Sequence, residues 1–297
     1  MDESSMSIRF AETRIDPVSI YKSHTTVDVL RLDVIHPVIS GNKWFKLKEY
    51  IKDIEQLQKK TIVTYGGTYS NHIVATAALA KDVGLNSIGI IKSYQPRHLS
   101  HTLKQAISYG MKIFFAPTEK EQQHIVSGLD ADTVYQIPMG GYGILGKEGA
   151  KTMIDELTLS NYTHIVCAVG TGTMLAGLTE ASLPHQNIIG ISAMKNNFSL
   201  EDEVKTLLPQ HLHSHFTLIH DYHFGGFAKN SSDLIRFMNE WYLQTSIPSD
   251  FVYTGKLFYA VNDLILKDHF PAGSKILIIH SGGLQGNASL SKGTLIF

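Results

Sequence analysis

The chain has 297 residues and a single cysteine, Cys167, so an internal disulfide is excluded and a reducing cytoplasm is the expected setting. No apolar run approaches the ~20 residues of a membrane span, and the N-terminus lacks a signal-peptide core. Neither charge is in surplus. The formal net charge is −1, which leaves no electrostatic footprint for nucleic acid or an anionic membrane. No internal repeat, low-complexity segment or long linker is present. What remains is 43% hydrophobic and 18% charged, ordinary for a soluble globular enzyme, and a chain of this length normally divides into two domains.

Short runs rich in β-branched residues alternate with helical spacing. The pattern predicts strands over 61–65, 87–91, 112–115, 133–137, 164–169, 188–192, 217–221 and 275–280. It predicts helices over 44–59, 71–83, 102–109, 147–157, 174–181, 233–243 and 257–267. Such alternation gives an α/β fold of parallel strands with crossover helices on both faces. Ligands in these folds collect at the carboxyl ends of strands. The segment Pro138-Met139-Gly140-Gly141-Tyr142-Gly143 is the expected crossing between domains, because its glycines sustain neither regular element.

Three glycine turns fall at those carboxyl ends, and one lysine stands where a helix begins. Lys43 follows Ser40-Gly41-Asn42, and an amine buried beside cationic groups such as Lys46 and Lys48 loses its proton readily, as a Schiff-base lysine must. The alternative is a solvated basic helix start. The turn Gly170-Thr171-Gly172-Thr173, followed by Met174 and Leu175, can aim backbone amides and two hydroxyls at a phosphate on the positive end of the next helix. Glycine-rich turns also serve packing alone. No Gly-Lys-Ser/Thr ends this one, so it is not a nucleotide-triphosphate loop. Gly66-Gly67-Thr68-Tyr69-Ser70-Asn71-His72 sets a hydroxyl, an amide and an imidazole at a helix start; Ser70 as a plain N-cap accounts equally well for part of it. Ser281, after the last apolar strand, can place a neutral hydroxyl against a ring nitrogen or simply cap a turn. Tyr253 can act as acid or base if its pKa is lowered, or it lies in an ordinary surface turn. One amine nucleophile, one anion cradle and two polar turns together suggest pyridoxal 5'-phosphate chemistry. His211, His213 and His215 invite a metal reading, but spacing of two with no Cys or acidic ligand alongside predicts no metal site.

Taken in order, these motifs resemble those of the 1-aminocyclopropane-1-carboxylate (ACC) deaminase / D-cysteine desulfhydrase family, within the fold-type-II pyridoxal phosphate enzymes related to tryptophan synthase β. The resemblance runs from about Pro37 to Gly283 and includes Gly41-Asn42-Lys43, the Gly-Gly-x-x-Ser-Asn-His segment, the loop Gly170 to Gly177, and His280-Ser281-Gly282-Gly283. It implies two domains, each a mostly parallel open twisted sheet flanked by helices, with pyridoxal phosphate in the cleft between them. Residues 1–45 and 151–297 would form the larger, cofactor-binding domain and residues 46–150 the smaller.

The resemblance also implies roles. Lys43 would carry the cofactor, Lys46 and residues 170–175 would hold its phosphate, and Asn71 would contact its phenolic oxygen. Ser281, where relatives use threonine, would face the pyridine nitrogen. Ser70, Asn71, His72, Phe227, Tyr253 and Thr254 would meet the substrate, with Lys43, Ser70 and Tyr253 catalytic. ACC deaminases follow the tyrosine with glutamate; here Thr254 follows, as in desulfhydrases. Phe227 stands where relatives place a second tyrosine, which removes one phenol from the substrate's surroundings and with it a source of specificity. The expected activity is α,β-elimination from a small amino acid such as D-cysteine, giving pyruvate, ammonia and sulfide. ACC ring opening is the alternative within enzymes, and a non-catalytic pyridoxal phosphate carrier is the alternative outside them. A cytoplasmic homodimer is expected.

Overall fold

The computed structural model describes residues 10–19, 21 and 25–297, without the side chains of 156 and 157. Two sheets organise it. The larger takes β1 (Ile15–Pro17), β2 (Thr26–Arg31), β7 (His164–Val169), β8 (Asn187–Ser192), β9 (Phe216–Ile219) and β10 (Lys275–His280), in the order β1-β2-β10-β7-β8-β9. All pairs are parallel except β1 with β2. The smaller is fully parallel, β5 (Lys112–Phe115), β4 (Asn86–Ile91), β3 (Thr61–Gly66) and β6 (Val134–Ile137) in that order.

Strand alternation sorts the larger sheet's side chains onto two faces. On β7, Ile165, Cys167 and Val169 join a core with Trp44, Phe45, Leu47 and Ile51 of α1 (Asn42–Gln56), Ala150 of α5 (Ile144–Lys151) and Leu175 and Leu178 of α7 (Thr173–Ala181). Val166 and Ala168 face the other way, towards Trp241 of α9 (Ser232–Thr245) and Leu257, Phe258 and Val261 of α10 (Thr254–Leu266). Every β7 residue is buried, which explains why the run reads as continuously apolar rather than alternating. The smaller sheet is flanked by α2 (Asn71–Asp82), α3 (His101–Ser108) and α4 (Glu119–Ser127).

The elements depart from the sequence expectation at several places. The helix expected over 147–157 stops at Lys151 and resumes as the short α6 (Glu156–Leu159), because Asp155 Oδ1 accepts the Thr158 amide at 2.6 Å and starts a new helix. The strand expected over 217–221 runs Phe216–Ile219. Helix α4 has no fully buried residue and only Ile125 and Val126 pack on the sheet, a weak apolar signal, yet Thr118 and Glu121 form a capping box that marks it. Helix α10 begins at Thr254 rather than 257, for a reason that lies in the active site. Strands β1 and β2 and helix α8 (Leu200–Thr206) were not expected.

Candidate active site

The lysine helix is laced to the end of β10. Gly41 precedes α1 with φ of 61°, and a Cβ there would overlap the Ser281 carbonyl; only glycine permits both the angle and the approach. The Asn42 amide donates to that carbonyl at 3.2 Å. Lys43 is half-buried and its Nζ donates to Asn42 Oδ1 at 2.7 Å. Burial lowers its pKa to about 8, against the pull of Asp250. Lys46 follows one turn later, 4% exposed, its Nζ reaching only the Gly140 carbonyl at 3.3 Å. Burial pushes this amine well below its usual range, and Lys43 adds to the shift. Cys167 is fully buried, its thiol pushed up to about 12 by that burial despite the Lys46 charge.

Ser70 caps α2, accepting the Ile73 amide at 3.4 Å. Asn71 donates a long bond to Gly283 O at 3.4 Å, while its Oδ1 is buried without a partner. His72 is 2% exposed, and its Nε2 lies 2.8 Å from Thr64 Oγ1. The Thr64 hydroxyl spends its one proton on Ile137 O at 2.9 Å, so it must accept from His72. His72 therefore carries its proton on Nε2, and Nδ1 is a bare, buried acceptor without a partner. Burial, followed by Lys43 and Lys46, lowers its pKa to about 3 and keeps the ring neutral.

Between β7 and α7 the chain turns through Gly170, Thr171 and Gly172. Gly172 is left-handed at φ 78°, and a Cβ on it would sit 2.6 Å from Val204 Cγ2 of α8. The Thr171 and Thr173 hydroxyls are 3.1 Å apart. Thr173, Met174 and Leu175 are buried and form the first turn of α7, where backbone amides have no intrahelical acceptor. Gly140 packs on Thr171, with a built Cβ 3.0 Å from its methyl. Since Gly140 also holds Lys46, the amine and the glycine turn meet there.

Asp250 is the site residue that sequence reasoning missed. It is fully buried. Its Oδ2 accepts the amides of Val252 and Tyr253 at 2.9 and 3.0 Å, and its Oδ1 accepts Thr254 N at 2.9 Å and Thr254 Oγ1 at 2.8 Å. The carboxylate thus caps the start of α10, which is why that helix opens three residues early; Ser249-Asp250 before an apolar run was the available signal. A Cβ on Gly283 would lie 3.1 Å from Asn71 Nδ2 and 3.5 Å from Asp250 Oδ1, so the His280–Gly283 turn seats both residues. The Gly282 amide donates to His280 Nδ1 at 3.2 Å, so His280 Nε2 donates to Pro248 O at 2.7 Å.

Two residues at the start of α10 carry expectations from the sequence. Thr254, expected at the substrate, is fully buried, and its hydroxyl is used up between the Asp250 carboxylate and the Asp250 amide, which it accepts at 2.7 Å. Tyr253 can act as acid or base if its pKa is lowered; burial, with Asp250 adding, raises it, so the phenol keeps its proton at neutral pH. Its ring stands against Gly170, a built Cβ lying 3.2 Å from the hydroxyl, and 6.0 Å from the ring of Phe227. Phe227 is 53% exposed. The turn Gln210–Leu212 and His213, bonded to Leu208 O at 3.2 Å, stand in a separate segment after α8.

Two buried amines short of acceptors, two polar atoms without partners and a glycine turn beneath a helix N-terminus suit a phosphorylated aldehyde. A family model described as pyridoxal-phosphate dependent enzyme matches residues 22–282. The chain belongs to that family. It is therefore a pyridoxal-phosphate dependent enzyme, and the residues present fit the cofactor. D-cysteine desulfhydrase of Serratia proteamaculans is 24% identical over 282 residues, covering 86% of this chain and 86% of that protein. The bifunctional D-cysteine desulfhydrase/1-aminocyclopropane-1-carboxylate deaminase of Arabidopsis thaliana is 27% identical over 299 residues, covering 88% of this chain and 73% of its own length. The crystal structure of an ACC deaminase homologue superposes with a TM-score of 0.78 at 25% identity, covering 95% and 94% of the two chains. The neighbouring folds are those of fold-type-II pyridoxal phosphate enzymes, and no described helix is long and apolar enough to cross a membrane.

Proposed function

We propose that this pyridoxal-phosphate dependent enzyme catalyses α,β-elimination on a small β-substituted amino acid, with D-cysteine as the reference substrate and pyruvate, ammonia and sulfide as products. The observation that carries this reading is a pair of opposed titrations in one site. Lys43 is lowered to about 8 while the Tyr253 phenol is raised, burial leading in both and Asp250 acting on both. Groups whose pKa values are driven apart take opposite parts in proton transfer. When bound, the cofactor supplies the electron sink for the pair released at Cα. Lys43 Nζ accepts the Cα proton, and Tyr253 Oη donates one to the departing thiolate. Lys46 and the amides of residues 170–175 would hold the phosphate, Asn71 the phenolic oxygen, and Ser281 the ring nitrogen.

The helix start at Ser70 suits the substrate carboxylate. Ser70 Oγ accepts from the chain, which leaves its proton for an anion at the positive end of α2. ACC ring opening finds less support, because the position after Tyr253 is a threonine already committed to Asp250. A cytoplasmic homodimer is proposed on the family resemblance, and the single buried thiol suits a reducing compartment. Sedimentation velocity tests the assembly.

Pyruvate release from a panel of D- and L-cysteine, β-chloroalanine and ACC tests the chemistry. D-Cysteine or β-chloro-D-alanine should head the panel. Phe227→Tyr should raise turnover by about tenfold if a phenol there joins proton transfer, at the low end for such groups. ACC turnover above every β-substituted alanine would overturn the elimination reading, and turnover of nothing would favour a carrier.

A further inference from the structure

Lys256 is used by none of the chemistry above. It sits on α10 three residues beyond Tyr253, 0% exposed. Its Nζ donates to His223 O at 2.9 Å, Gly226 O at 2.8 Å and Ala193 O at 3.4 Å. An ammonium has three protons, and three carbonyls take them. Ala193 directly follows β8, and His223 and Gly226 belong to the loop after β9. One cation therefore ties the first turn of α10 to both loops at the carboxyl end of the larger sheet.

The loop after β9 is the one that needs tying. Phe224, Gly225, Gly226 and Ala228 have φ of 49°, 92°, 117° and 53°. Phe224 and Ala228 carry a Cβ, and such residues stay left-handed only where their surroundings hold them. Phe227 lies inside this run, its ring edge-on to Tyr253 at 6.0 Å and 63°. The ammonium faces the charge of Asp250 from the α10 cap, and the loop it holds carries His223 and packs against Lys195 at Gly226 and Lys229 at Gly225.

We propose that Lys256 is a positioning residue that clamps the 223–228 loop, fixing Phe227 as an apolar wall opposite Tyr253 and favouring uncharged β-substituents such as thiol, alkylthio or halide over charged ones. The substrate clause rests on the elimination reading; the clamp does not. Burial lowers the Lys256 amine to about 8, opposed by Asp250, so the clamp weakens as the amine loses its proton.

Lys256→Met keeps the stem and removes the donors. In the holoenzyme, amide hydrogen exchange over residues 223–229 should accelerate about tenfold. KM for S-methylcysteine should rise roughly tenfold, with kcat within about threefold and cofactor Kd within about twofold. In the wild type, exchange over the same residues, corrected for intrinsic rates, should rise between about pH 7 and pH 9.5, and the variant should lack that step. Unchanged exchange and KM in the variant, or a cofactor loss as large as the loop effect, would overturn the clamp. If the variant fails to fold, a flat wild-type exchange profile overturns it alone. If the wild type turns over no β-substituted alanine, the elimination reading fails while the exchange result still decides the clamp. Preference for a charged β-substituent, as in O-phosphoserine, over S-methylcysteine would overturn the apolar wall.

Discussion

Lys43 and Lys256 are both amines that burial lowers to about 8, with Asp250 pulling each the other way, yet their hydrogen bonding is opposite. Lys256 spends its protons on three carbonyls. Lys43 donates to its neighbour's amide, and beside it lie Lys46 with one long bond and the partnerless Asn71 Oδ1 and His72 Nδ1. Native interiors satisfy buried polar groups, so a cluster left short marks where something else binds. The satisfied lysine holds the protein's shape. The unsatisfied ones wait for a ligand.

Removing the reactive amine is the strongest test of that contrast. Lys43→Ala should lower turnover by about 10³-fold or more, within the range for loss of an acid–base group and beyond it if the nucleophile is lost as well. Borohydride should fix the cofactor to the peptide that contains Lys43, and labelling at Lys46 or Lys256 instead would break the assignment.

The bare nitrogen of His72 makes a pH prediction. Its pKa is about 3 in the fold against 6.5 in the unfolded chain, so below 6.5 the unfolded state binds the extra proton and stability falls as pH drops towards 3. Between pH 6.5 and 4 the loss should be about 3 kcal/mol, from ~1.4 kcal/mol per unit. His72→Gln should flatten that limb in urea titrations of the apoprotein. An identical acid limb in the variant would show that His72 is not held neutral.

The lysine pair can be compared directly. Burial lowers both amines to about 8, so the difference between Lys256→Met and Lys43→Met reports chiefly on their hydrogen bonds. Lys256→Met should be less stable than Lys43→Met by about 2 kcal/mol, since carbonyls that lose a donor cost about 1 kcal/mol each and two of these three keep an amide partner. Equal denaturation midpoints would erase the contrast.

The smallest expected effect concerns the phosphate turn. Gly172→Val should weaken cofactor binding by about tenfold, because it strains a left-handed residue and displaces Val204, whereas Thr171→Ala removes one contact among several. Equal affinity in wild type and Gly172→Val would remove this turn from the cofactor's contacts.

Much of this was readable in the chain itself. Strand and helix alternation fixed a parallel α/β fold, and Gly-Asn-Lys, Ser-Asn-His and the 170–177 loop named their chemistry, because backbone turns that approach a ligand need glycine at set positions. Local sequence marked even α4, through the Thr118–Glu121 capping box. Three-dimensional packing decided the rest. In sequence Asp250 shows only as a polar residue before an apolar run, Lys256 carries no local mark, and Thr254 is expected at the substrate. Only burial turns the first into the cap of α10, the second into a clamp on the Phe227 loop and the third into a partner of the first. The protonation states of Lys43, Tyr253 and His72 belong to that second class as well, because a pKa is set by the solvent removed and the charges brought near, and neither exists until the chain has folded.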